Sequence, residues 1–89
     1  MQIVIPMSGF GERFRKEGYS VPKPLIKVDN KTIIQYVVEM FPGETDFTFI
    51  CNEMHLKNEK FKMREILNMI APSGRIISLH PIIWDRFMQ

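Results

Sequence analysis

Residues 2–7 (QIVIPM), the turn Ser8-Gly9-Phe10-Gly11-Glu12-Arg13 and, ten residues after that arginine, Pro22-Lys23-Pro24-Leu25 decide how this chain folds. The opening six residues are an almost unbroken apolar run with three β-branched side chains. That is the pattern of a strand covered on both faces, and hence of a central strand in a parallel sheet. Pro6 lacks a ladder donor and is expected to end the strand. The chain then opens into a turn with two glycines, placed at a strand's C-terminal end, where open α/β sheets hold ligands. Gly9 and Gly11 let main-chain N–H groups approach an oxyanion without Cβ obstruction, and phosphate suits such a concavity. Arg13 adds a planar donor fork, whereas Lys23 supplies a compact charge on a backbone confined by two prolines. Two cations of different reach point to two phosphoryl groups.

Outward from this stretch, the segment 12–20 is charged and carries Gly18, and each proline of Val21-Pro22-Lys23-Pro24 restricts the residue before it, so a long ordered loop or a broken helical turn is expected rather than a continuous helix. Residues 25–28 form a short extended piece and Asp29-Asn30 a turn. Thr32 N-caps a helix to about Phe41, with Ile34, Val37, Val38 and Phe41 on one stripe, and Pro42-Gly43 stops it. Residues 47–51 (FTFIC) read as a second strand, completing a βαβ unit. A single second helix is expected over about 54–70, with Met63, Ile66, Leu67 and Ile70 on its buried face and Lys57, Lys60 and Lys62 solvated. After Ala71-Pro72-Ser73-Gly74, residues 75–79 (RIISL) make a third strand.

The chain has 89 residues, room for one small domain that buries roughly 60% of its unfolded surface. Hydrophobic residues at 45% and charged residues at 25% are globular proportions and exclude a disordered tail. A net charge of +2 without blocks of one sign gives no electrostatic case for nucleic acid. The single cysteine, Cys51, excludes an internal disulfide framework and is expected to be an inert buried thiol. No apolar run reaches the roughly 20 residues of a bilayer span, and the N-terminus lacks a signal-peptide pattern, so a cytoplasmic protein without a membrane partner is expected. His55 and His80 have no ligand-spaced partner, and Asp29, Glu39, Glu53 and Asp85 form no metal-binding pattern.

Two familiar phosphate motifs do not match. No Gly-Lys-Ser/Thr run is present for a P-loop, and a dinucleotide fingerprint would need glycine where Phe14 stands. The stretches IVIPMSGFGERF and PKPLIKVDNKTIIQYVVE instead resemble the N-terminal signature of the sugar-phosphate nucleotidyltransferases. The resemblance covers residues 2–41 and continues more loosely through FTFICNEMHL to about Leu79. It implies an α/β, three-layer Rossmann-like nucleotidyltransferase fold of glycosyltransferase-A type, truncated here to about three parallel strands in order 3-2-1 and two helices. Residues 1–80 would form the nucleotide-binding part and 81–89 an atypical tail.

The resemblance also implies a reaction: a sugar phosphate attacks the α-phosphorus of a nucleoside triphosphate, with Mg²⁺ assistance and release of pyrophosphate. Its catalytic residues would be Arg13, at the triphosphate, and Lys23, near the reacting phosphoryl group. Met7, Ser8 and Gly9 would lie along the nucleoside and Gly11 at the triphosphate. The Mg²⁺ ligands are expected outside this chain. Such chemistry consists chiefly of positioning and charge neutralisation, which amides, an arginine, a lysine and a metal perform without a side-chain nucleophile. Glu12 stands where many relatives have Thr or Ser, and is expected to face solvent or pair with Lys16. The competing expectation is a non-catalytic remnant or interaction module, self-associating through an open sheet edge beside the first strand and through Ile82, Ile83, Trp84 and Phe87.

Overall fold

The computed structural model describes residues 1–7, 22–80, 82, 83 and 86. Three parallel strands, β1 (Ile3–Pro6), β4 (Phe47–Asn52) and β5 (Arg75–Leu79), form a sheet in the order β1-β4-β5, the expected 3-2-1 arrangement read from its other edge. Ile3 stands opposite Phe47 and Ile5 opposite Phe49 on one side of β4, while Phe49 faces Ile76 on the other. A two-residue hairpin, β2 (Lys27–Val28) and β3 (Lys31–Thr32), precedes helix α1 (Ile33–Glu39). Its turn residues Asp29 and Asn30 have φ of 54° and 67°, the left-handed pair that matches the twist of a tight hairpin. Helices α2 (Glu53–Lys57) and α3 (Met63–Ile70) connect β4 to β5.

The period-2 alternation of the strands sorts their side chains onto two faces. Ile3, Met7, Phe47, Phe49 and Cys51 join Leu25, Ile34, Met63 and Leu67 in one buried core. Phe49 is fully buried at its centre, stacked on Phe47 with ring centroids 6.1 Å apart. On the opposite face Val4 is 52% and Ile77 44% exposed. The expectation that β1 is central and covered on both faces therefore does not hold among the described residues: β1 pairs with β4 alone, and Val4 faces outward. On that same face Thr48 is buried, and its hydroxyl has no hydrogen-bond partner among the described residues.

Pro6 does not stop the ladder. The amides of Ile3 and Met7 donate to Asp46 O and Ile50 O, each at 2.8 Å, so the odd positions of β1 point their N–H groups at β4. The proline's missing donor falls on the other side, along the free edge, where a strand tolerates it.

Of two further expectations, the loop or broken helical turn around Lys23 resolves to the latter, and the single helix over 54–70 is corrected. Lys23–Leu25 is a 3-10 turn, closed by Leu25 N–H donating to Pro22 O at 2.9 Å and Ile26 N–H to Lys23 O at 3.1 Å. Pro24 fits because a first-turn position needs no amide donor. The segment expected to be one helix over 54–70 is two. Asn58 breaks it: its side-chain oxygen accepts from Lys60 N at 3.0 Å, its carbonyl accepts from Phe61 N at 3.1 Å, and Lys62 turns left-handed at φ 50° before α3 begins. The N-cap is as expected, with Gln35 N–H donating to Thr32 Oγ1 at 3.3 Å, and α1 ends at Glu39 ahead of Pro42-Gly43.

Candidate functional site

Parallel strands bring the residues that follow β1, β4 and β5 to one edge of the sheet, the edge at which such folds receive ligands. Met7 leaves β1 there, fully buried, with its amide held by Ile50 O. Its side chain belongs to the core. Ser8, Gly9, Gly11 and Arg13 lie outside the described residues, as does the expected contact of Glu12 with Lys16.

Lys23 is described, and its setting is specific. Pro22 before it is fully buried, Leu25 after it is a core residue, and the two hydrogen bonds of the 3-10 turn fix the backbone between them. Ile33 N–H donates to Ile26 O at 3.0 Å, tying this turn to the start of α1. The lysine side chain is exposed on that anchored turn. A cation whose main chain is fixed in this way can meet a phosphate without reorganising the backbone.

At the end of β4, Asn52 caps α2 by accepting from Met54 N–H at 2.8 Å, and Glu53 pairs with Lys57 at 3.1 Å. Sequence reasoning passed over Asn52, although an Asn that closes a strand ahead of a charged segment is a recognisable cap. Cys51 is fully buried, and desolvation pushes its thiol up to about 12 despite the opposing pull of Arg64, so it is a packing residue. His55 is half-buried with its ring edge-on to Phe61 at 5.9 Å, and burial holds its imidazole below the ordinary 6.5. It is a structural histidine rather than a surface one.

Magnesium is the metal that the resemblance implies. Among the described residues no three His, Cys, Asp or Glu side chains gather as a metal site, and Glu53, the acid nearest the end of β4, is engaged by Lys57. The described part of the chain does not build that site. No helix among the described residues is long and apolar enough to cross a membrane.

No family model matches the chain. A protein of Methanocaldococcus jannaschii that carries the provisional name UTP–glucose-1-phosphate uridylyltransferase is 33% identical over 89 aligned positions, which take in 82% of this chain and 31% of that protein. The crystal structure of the nucleoside-diphosphate-sugar pyrophosphorylase from Vibrio cholerae RC9 is similar with a TM-score of 0.63 and 27% identity, over 89% of this chain and 33% of that one. The chain thus spans about a third of the length of the relatives it matches.

Proposed function

We propose, for a chain that belongs to the sugar nucleotidyltransferase family and spans about a third of its relatives' length, that it supplies the triphosphate-gripping loop of a nucleotide-sugar pyrophosphorylase. In this reading a sugar phosphate attacks the α-phosphorus of a nucleoside triphosphate and pyrophosphate leaves. The amides of Gly9 and Gly11 and the Arg13 guanidinium hold the phosphates, and Met7, Ser8 and Gly9 lie along the nucleoside. Lys23 neutralises charge that builds on the reacting phosphoryl group. Mg²⁺, when bound, would supply further charge neutralisation through ligands that the described residues do not provide.

The observation that carries this reading is the anchored turn at Lys23. A buried proline, a buried leucine and two main-chain hydrogen bonds hold the turn that carries this exposed lysine, in a fold shared with a sugar-nucleotide pyrophosphorylase. A purely structural turn needs Pro22 and Leu25 but not a cation between them. Amide chemical-shift mapping with UTP tests the reading. The account expects the shifts to concentrate at Gly9, Gly11, Arg13 and Lys23. Shifts confined to other surfaces, or none, would contradict it.

A second reading, self-association, is favoured by the exposure of Val4 and Ile77 on the sheet face opposite the core. Sedimentation velocity separates the two, because a stable monomer at high concentration contradicts self-association and leaves nucleotide binding untouched. Pro6 removes one donor from the edge of β1 that no described strand pairs with, which weakens that edge as a template for another strand.

A further inference from the structure

On the helical face of the sheet, a groove remains that the nucleotide reading does not use. Helices α1 and α3 both carry the chain back against the direction of the strands, so they lie side by side in the same sense. The space between them is about 730 Å³, and Val38 and Ile70 also line a separate hollow of about 200 Å³ that reaches Pro72. Its walls follow helical spacing: Thr32, Gln35 and Val38 on one side, Ile66, Met69 and Ile70 on the other. Leu25 and Phe61 extend the apolar lining, and Met69 is 76% exposed at the lip.

The ionic groups of this groove are unequal. Lys27 enters it from the hairpin ahead of α1, and Lys60 and Lys62 from the turn ahead of α3, so all three lie toward the end where the helices begin. None of the three forms an ion pair among the described residues. Of the two carboxylates in the lining, Glu39 is committed to Lys31 at 2.9 Å, which leaves Glu65 alone to oppose three ammonium groups.

We propose that this groove docks an amphipathic helix of a partner polypeptide. Apolar side chains at i, i+3 or i+4 and i+7 would lie along Val38, Ile66, Met69 and Ile70, and acidic residues at one end would meet Lys27, Lys60 and Lys62. Helix-in-groove recognition needs an apolar channel a few turns long, and charge complementarity at one end sets the direction in which the helix lies. The groove runs between helices of seven and eight residues, about two turns each, and carries its basic residues at one end. A small anion gains little here, because exposed ammonium groups bind weakly without a desolvated, directional cradle.

The test is fluorescence anisotropy with a labelled helical peptide of about two heptads, leucine at its a and d positions and glutamate over its first turns, beside the same peptide with lysine for every glutamate. The glutamate peptide binds saturably at low salt and the lysine peptide does not. Lys60→Glu with Lys62→Glu, or Met69→Asp alone, lowers the affinity roughly tenfold or more, and circular dichroism stays unchanged because all three side chains are exposed. Absence of saturable binding, equal binding of the two peptides, or indifference to these substitutions overturns the proposal. So does a dimer in sedimentation velocity that Met69→Asp dissolves, since a second copy would then own the groove. None of these residues serves the nucleotide loop, so failure here leaves that reading standing.

Discussion

The ring of Phe49 approaches Gly74 so closely that a Cβ on that glycine would stand 3.1 Å from Phe49 Cε2 and 3.1 Å from the carbonyl oxygen of Ala71. Three elements meet at this point: the central strand, the end of α3 and the turn into β5. Gly74 N–H closes that turn by donating to Ala71 O at 2.9 Å. A backbone oxygen and a fully buried ring leave little room to yield, so Gly74→Ala is expected to cost about 1–3 kcal/mol. Urea unfolding checks this, with the midpoint falling and the slope unchanged.

Thr48 offers the opposite case. Its buried hydroxyl has no partner among the described residues, so Thr48→Val keeps the shape and removes a desolvated polar atom. The expected outcome is a gain of about 1 kcal/mol, read from the same unfolding curves.

The thiol of Cys51, pushed up to about 12 by burial, is expected to stay silent toward an exposed-thiol reagent at about pH 8 and to react fully once urea unfolds the chain. Because the folded value lies above the ordinary 9.0, the unfolded chain gives up this proton first. Stability is therefore complete below pH 9.0 and falls between there and about 12. Cys51→Ala abolishes that part of the alkaline decline.

His55 works in the other direction. Desolvation lowers its folded value below 6.5, so on acidification the unfolded chain takes up the proton first, and stability drops as pH falls through 6.5. A ring-proton titration by NMR should place the midpoint of His55 below 6.5, and His55→Phe should flatten this acid limb of the stability curve.

Much of this architecture was legible because it rests on local patterns. The run of residues 47–51, the Thr32 cap and the Pro42-Gly43 stop each have one ready structural meaning, and β4, α1 and their order follow. The errors, and the choice left open at Lys23, have a common origin in groups whose effect depends on direction. Pro6 removes a donor, but only the ladder's phase shows that the loss falls on the free edge. Pro24 bars an α-helix from including Lys23 comfortably, yet a single 3-10 turn asks for no donor there. Asn58 carried a turn signal inside a long amphipathic stretch, and the periodicity of the flanking residues masked it. Of the candidate site, the sequence marked Lys23 through its prolines. The buried Pro22 and Leu25 that hold it needed the tertiary fold to be seen.

Calorimetric titration of the folded chain with UTP, TTP, CTP, GTP and ATP tests the central claim most directly. The account predicts saturable heat with at least one of them, and affinity lower by roughly tenfold or more in Lys23→Ala and in Arg13→Ala, the scale of one lost charge-assisted hydrogen bond. No heat with any of the five, or equal affinity in both variants, would contradict it.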